Sequence, residues 1–366
     1  MRITMAPDTL FAEQRYEFVM NELRREGSIG VGEIANRLSV SQMTVRRDIE
    51  VLARRGLLSR VHGGAILVST TNEDGWPPAV SQSKYKLGIV VPSLEFFWPG
   101  IIRGVRATAT AKKTAVLVRG SAYDGPDNRR QIEKLIKPGK VHGLLLAPTT
   151  SGPGGPDLLR WIGSLSEPHV LMERFTPSHL VSGGADIVAT DHRHGTEIAV
   201  RHLRSQGHTK IGVLISRESP TAGHILRGWA AACGELGIPN GNDLVHETVS
   251  FDAPRREDLL KLVAEEVIGA GITALIIHSD PHAVAFAQFC SHHGILIPDD
   301  LAVVAYGDEG SHLGEPPLTA VRPAKQHVGR LAVELLLARL EEGPERPTQR
   351  IYVNPTLVVR ESSIKR

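Results

Sequence analysis

The run Ser41-Gln42-Met43-Thr44-Val45-Arg46-Arg47-Asp48-Ile49-Glu50-Val51-Leu52-Ala53-Arg54 holds the chain's most suggestive chemistry. An arginine fork donates bidentately to O6 and N7 of guanine, while threonine and methionine can touch the thymine methyl. Such groups act together only if one surface carries them. Val45, Ile49 and Leu52 recur at helical spacing and form an apolar stripe. At about 100° per residue the opposite face carries Met43, Thr44, Arg47, Val51 and Arg54, with Arg46 on the flank. Ser41 suits the N-cap, where its hydroxyl accepts from backbone N–H groups of the first turn. A solvated amphipathic helix would show the same pattern, so the neighbouring elements must decide.

Upstream, Tyr16, Val19, Met20 and Leu23 make a helical stripe that stops at Arg25-Glu26-Gly27. A short helix from Val31 to Leu38 follows, packing through Ile34, Ala35 and Leu38, and Ser39-Val40 turns tightly into the arginine-bearing helix. Helix, turn, helix is the arrangement that crosses a DNA backbone with one helix and inserts the next. After Gly56, Leu57 to His62 reads as a strand, Gly63-Gly64 as a turn and Ala65 to Val68 as the return strand. The hairpin makes this a winged helix. Charge is segregated to match: Met1 to Asn36 has four arginines against six carboxylates, Arg37 to Val68 six against two, and the rest balances. The overall +2 therefore does not oppose a DNA-binding head.

Gly32-Glu33-Ile34-Ala35-Asn36-Arg37-Leu38-Ser39-Val40-Ser41-Gln42-Met43-Thr44-Val45-Arg46-Arg47-Asp48-Ile49, then Arg60-Val61-His62-Gly63-Gly64-Ala65, resembles the DeoR-type bacterial repressor head. The resemblance implies that Gln42, Thr44, Arg46 and Arg47 read a double-stranded DNA operator, with Arg60 and His62 in the wing. Ser41 and Arg54, at the two ends of the same helix, complete the expected DNA-facing set. Asp48 is expected to orient a neighbouring arginine, because a carboxylate facing phosphates is repelled. His62 reads equally as a DNA contact or a turn-stabilising side chain.

The remaining length accommodates a large body. Residues 69–84 have linker composition, polar with a Pro77-Pro78 pair and with Trp76 available to dock. Beyond them, apolar runs alternate with helical patterns: Leu87 to Val91, Thr114 to Val118, Gly143 to Leu146, Val170 to Met172, Ile211 to Ile215, Ala274 to Ile277 and Ala302 to Ala305. Such runs suit strands buried on both faces of a parallel sheet. There are too many for one tidy sheet. The expected class is α/β, with two doubly wound parallel sheets behind a small N-terminal winged helix-turn-helix domain, and ligands placed where strand ends face a cleft.

Motif order sharpens this. Gly88-Ile89-Val90-Val91-Pro92-Ser93-Leu94-Glu95-Phe96-Phe97-Trp98, Val170-Leu171-Met172-Glu173-Arg174, Gly207-His208-Thr209-Lys210-Ile211-Gly212, Ser279-Asp280-Pro281-His282-Ala283, Pro316-Pro317-Leu318-Thr319-Ala320-Val321-Arg322-Pro323 and Pro355-Thr356-Leu357-Val358-Val359-Arg360-Glu361-Ser362 together resemble the effector domain of LacI/GalR-type repressors, itself similar to periplasmic sugar-binding proteins. The resemblance implies a head at 1–68, a linker at 69–84 and a two-lobed effector domain at 85–366. Lobe 1 would take about 85–190 and 318–348, and lobe 2 about 191–317 and 349–366. It places Phe96, Phe97, Trp98, Glu173, Arg174, Asp280 and Asp308 around the effector. In such a site rings stack on aromatics and carboxylates accept from hydroxyls. The family's ligand-facing arginine position holds Ile225, with Arg227 and His224 beside it, and its first late acid is Gly307, leaving Asp308 one place on. Arg227 therefore joins the expected set. The aromatics also read as core or lobe-interface residues, and Asp280 as a helix cap.

Sixteen histidines invite a metal, but neither Asp191-His192-Arg193-His194 nor His292-His293 spaces several ligands on one helix face. No cofactor, metal site or catalytic constellation is expected. Cys233 and Cys290 read as buried free thiols. No signal-peptide plan and no membrane-length apolar run are visible, which predicts a cytoplasmic protein. The expected function is a homodimeric transcription regulator, of repressor type, controlled by a small polar effector. A sugar- or nucleoside-processing enzyme and a transporter-feeding solute-binding protein are the rivals.

Overall fold

The computed structural model describes residues 12–26, 28–54, 58–61, 63–67, 83–92, 97–121, 125–137, 141–150, 154–176, 185–216, 219–249 and 255–364. Expectations that fall on His62, Phe96, Trp76 and most of the 69–84 linker lie outside these residues.

The head is built from α1 (Ala12–Glu26), β1 (Ser28–Gly30), α2 (Val31–Leu38), α3 (Gln42–Arg54), β2 (Leu58–Val61) and β3 (Gly64–Leu67). Its core is the expected stripes closed on one another: Val19 and Leu23 from α1, Ile34 and Leu38 from α2, Val45, Ile49 and Leu52 from α3, sealed by Leu58 and Ala65. Between the last two helices Ser39 takes a left-handed conformation (φ 54°) and ends α2, which lets the chain reverse in three residues. The strand β1 was not anticipated. It pairs antiparallel with β3, which pairs antiparallel with β2, so the hairpin becomes a three-stranded sheet in the order β1-β3-β2. A side chain at Gly64 would strike the Ile29 carbonyl oxygen, so close strand approach explains the glycine there.

The body runs β4 (Lys86–Val91), α4 (Trp98–Ala111), β5 (Ala115–Gly120), α5 (Gly125–Ile136), β6 (Gly143–Leu146), α6 (Gly155–Gly163), β7 (His169–Met172) and β8 (Asp186–Thr190). It continues through α7 (His192–Ser205), β9 (Ile211–Ile215), α8 (Ala222–Glu235), β10 (Val245–Glu247), α9 (Arg256–Gly269), β11 (Ala274–His278), α10 (Asp280–His292), β12 (Ala302–Tyr306) and β13 (Thr319–Arg322). It closes with α11 (Lys325–Glu342), β14 (Arg350–Val353) and β15 (Thr356–Val358). All seven apolar runs read from the sequence are strands. The first body sheet has the order β14-β8-β7-β6-β4-β5, and the second β10-β9-β11-β12-β13-β15. Every pairing from β4 to β8 is parallel, as is every one from β9 to β13, whereas β15 adds antiparallel to β13.

The chain divides into two compact units, residues 1–189 with 325–351, and 190–324 with 352–366. This corrects the lobe limits expected from the sequence. Residues 318–324 stay with the second unit, because β13 pairs with β12 and β15, and the chain returns to the first only at Lys325. Gln349 to Ile351 belong to the first unit, where the Gln349 carbonyl accepts from the Ile187 amide at 2.8 Å. Within that unit α4 and α11 pass so closely that a side chain at Gly104 would strike Gln326 and one at Gly329 would strike Ile101.

Candidate DNA interface and effector-domain site

In the head, the polar side of α3 is turned to solvent. Ser41, Gln42, Met43, Arg46, Arg47 and Arg54 are exposed, Thr44 and Val51 are half-buried, and Val45, Ile49 and Leu52 are buried. Ser41 caps the helix, its hydroxyl accepting from the Thr44 amide at 3.1 Å and lying 2.9 Å from the Thr44 hydroxyl. Asp48 is on the inner face at 3% exposure. It takes a bidentate pair of hydrogen bonds from Arg15 of α1 (2.7 and 3.0 Å), which raises the arginine's pKa. The carboxylate thus orients an arginine, as expected, but one from another helix. Arg37 is likewise bound to Glu22 at 2.6 and 3.1 Å, so it contributes little to the outward field. What remains outside is a cationic set: Arg46, Arg47 and Arg54 on α3, and exposed Arg60 on β2, have no ion pair among the described residues, the exposed Glu50 included.

The first body sheet reverses its order between β4 and β6, since β5 lies on one side of β4 and β6 on the other. In open parallel sheets such a reversal opens a crevice at the carboxyl ends of the strands. Arg174 sits there at 4% exposure. It donates to the carbonyls of Pro148, Glu173 (2.7 Å) and Ala147 (3.5 Å), and its guanidinium lies 5.5 Å over the Trp98 ring. Trp98 is itself 4% exposed, in edge contact with half-buried Phe97, over which the Lys325 ammonium stands at 4.7 Å. Arg174 and Trp98 therefore brace the crevice from below rather than lining it openly. Glu173 is buried with φ 53°. Two groups at this edge were not singled out from the sequence: Asn128, which accepts from the Thr149 amide at 3.3 Å, and Arg119 at the end of β5.

The second body sheet reverses between β9 and β11. Here the edge is made of histidines. His278 ends β11 and meets the Thr221 hydroxyl at 3.1 Å through Nε2, while His192 meets the Tyr306 hydroxyl at 3.0 Å through Nδ1. His282 lies 3.3 Å from the Ser279 hydroxyl. Burial pushes His278 down to about 3 and both His224 and His282 down to about 4, with nearby positive charge adding to the shift, so all three are neutral near pH 7. Of these, His192 was weighed from the sequence as a metal ligand and His224 as a neighbour of the ligand-facing position, and no group of three or more potential ligands is placed to hold a metal among the described residues. That an imidazole closes an apolar strand was the signal available for His278.

The expected carboxylates are occupied. Asp280 opens α10 and accepts from the Gly310 amide and the Ser311 hydroxyl, tying the loop after β12 to the helix. The Asp308 side chain is wholly buried between Arg322 (2.5 Å) and Arg360 (2.8 Å). Arg227 is exposed on α8 with no ion pair among the described residues. Asp191 caps α7 by accepting from the His194 amide at 2.9 Å. Cys233 and Cys290 are buried free thiols whose pKa values burial raises to about 11 and about 12. No described helix is long and apolar enough to cross a membrane.

Comparison with known proteins matches two segments of the chain. Residues 15–71 match the DeoR-like helix-turn-helix domain, and residues 200–363 the periplasmic binding protein-like domain. The chain is 25% identical over 337 residues to an arabinose metabolism transcriptional repressor of Geobacillus stearothermophilus, covering 90% of each chain. It is 25% identical over 279 residues to the ribose operon repressor of Escherichia coli, covering 75% of this chain and 81% of that one. Among solved structures, the transcription regulator CcpA of Lactococcus lactis superposes with a TM-score of 0.64 at 19% identity over 77% of this chain and 99% of its own. The transcriptional regulator CelR in complex with cellobiose does so with 0.64 at 22%, over 88% and 91%. These relatives are regulators rather than enzymes. The chain joins a DeoR-like helix-turn-helix domain to a periplasmic binding protein-like domain and is similar over most of its length to DNA-binding transcription repressors.

Proposed function

We propose that the protein represses transcription by holding an operator as a homodimer, and that a small sugar-like effector at the crevice edges of the body sets its affinity for that operator. One observation carries the DNA half: a capped helix buries its apolar stripe and leaves Arg46, Arg47 and Arg54 outside without acidic partners. In this reading Gln42, Thr44, Arg46 and Arg47 meet base edges, while Ser41, Arg54 and Arg60 meet phosphates. A two-fold dimer sets the spacing of two such helices on a pseudo-palindromic site. The relatives' names, which mention arabinose, ribose and cellobiose, support a sugar-like ligand here.

To switch the operator from mostly bound to mostly vacant, the effector must prefer one conformation by about 5 kcal/mol. Footprinting of the full chain on upstream DNA at low salt tests the core of the proposal. A protected site with dyad symmetry is expected, with affinity falling steeply as salt rises. Absence of any protected site across the salt series overturns it.

A further inference from the structure

We infer that the effector carries an anionic group, and that Arg119 at the carboxyl edge of the first body sheet is the cation that receives it. The inference rests on the reading of the body as an effector-binding domain and specifies its ligand class: an acid or phosphorylated relative of a sugar rather than a neutral one.

Arg119 is the last residue but one of β5, in register with Val90 of β4, the strand at which the sheet order reverses. It shares a strand face with Leu117, which packs against the core formed by Ile132, Leu135 and Leu158. Its guanidinium is thus anchored to a rigid strand at the edge where ligands enter parallel sheets. It is half-buried, its Nε is shielded from solvent, and that Nε has no hydrogen-bond partner. Burial lowers its pKa and no carboxylate acts in the opposite direction.

Arg256 and Arg346 also carry buried nitrogens without a hydrogen-bond partner, but Arg346 meets Glu342 at 3.0 Å, and most other buried or half-buried arginines among the described residues are paired. Arg15 has Asp48, Arg174 has backbone carbonyls, Arg339 has Asp186 at 3.0 Å, and Arg360 has Asp308. Desolvating a cation without a counter-charge is costly, and such local costs in a stable fold are expected at binding sites.

The test uses the full chain and inorganic phosphate, with sodium chloride at matched ionic strength as control. Phosphate is expected to raise the melting temperature of the wild type and to bind with a measurable Kd by calorimetry. Arg119→Gln should weaken that binding tenfold or more, and Arg119→Lys should fall between, keeping the charge but losing the planar fork. Arg119→Lys also serves if Arg119→Gln does not fold. Ribose, ribonate and ribose 5-phosphate, with the corresponding arabinose set, then separate a carboxylate ligand from a phosphate one by which member releases the operator.

Phosphate that stabilises wild type and variants equally, or none of them, overturns the inference. So does operator release by the neutral sugars with the same potency in wild type and Arg119→Lys. Footprinting of the unliganded wild type is the separate arm for the regulator reading: a protected site there, with no anion response, sinks the ligand class alone.

Discussion

The arginines of α3 and those around Asp308 are the same side chain put to opposite uses. Arg46, Arg47 and Arg54 stand on a helix whose single buried acid, Asp48, is already held by Arg15, and none of them is ion-paired among the described residues, so the outward face keeps a net positive charge. Arg322 and Arg360 converge on a carboxylate that has no exposed surface, and their charge is neutralised inside the second unit. The lesson is that arginine content says little about nucleic-acid binding until acids are assigned to partners. Arg37 illustrates it: it lies in the basic segment of the sequence yet is bound to Glu22. A cation left unpaired on a surface awaits a polyanion, and one left unpaired at a strand edge, as Arg119 is, awaits a smaller anion.

This contrast can be broken most severely at its inner pole. Asp308→Asn keeps a residue that tolerates the local positive φ of 78° but removes the charge between two arginines. Breaking a buried pair costs about 3 kcal/mol at the lower end of its range, which applies because Arg322 is half-exposed. Chemical denaturation should show the loss, and an unchanged midpoint would mean the pair contributes nothing. The outer pole is next. Arg47→Ala should lose about 1 to 3 kcal/mol of operator affinity and relax preference at one base position, without a change in folding stability. Equal weakening on all DNA sequences would make Arg47 a phosphate contact instead.

A smaller effect sharpens the picture of the second sheet's edge. Its histidines sit below their ordinary value near 6.5, so the unfolded chain takes up protons first as the solution is acidified. Their contribution is complete above about pH 6.5 and is lost as pH falls towards about 4 for His224 and His282 and about 3 for His278. While in that window a buried histidine changes stability by up to about 1.4 kcal/mol per pH unit. Melting curves from about pH 7 to about pH 4 should fall accordingly, and His278→Gln should flatten the decline; an unchanged slope would place the sensitivity elsewhere.

Much was legible before any fold was known. The spacing of Val45, Ile49 and Leu52 set the buried side of α3, and continuous apolar runs announced β4, β5, β6, β7, β9, β11 and β12. The strand β1 was hidden because Ser28-Ile29-Gly30 is too short to show alternation and exists only by pairing with β3. The lobe limit at Leu318 was misplaced because Thr319 to Arg322 suits a buried strand of either sheet, and only its pairing with β12 decides which. The partners of the candidate ligand residues were hidden for a related reason. Asp280, Asp308 and Arg174 have the types a ligand needs, but residue type does not disclose a partner that lies distant in sequence.

By itself, the sequence determined which face of each head helix turns inward, that the body is doubly wound, and that the head resembles a DNA reader. Those properties follow from side-chain spacing along a single element, which local geometry fixes. Tertiary structure alone decided which charges are spent: Asp48 on Arg15, Asp308 on Arg322 and Arg360, Arg174 on the carbonyls of Ala147, Pro148 and Glu173, and Arg119 on nothing among the described residues. Electrostatic pairing depends on distance in space and on lost hydration, and neither quantity is written in the order of residues.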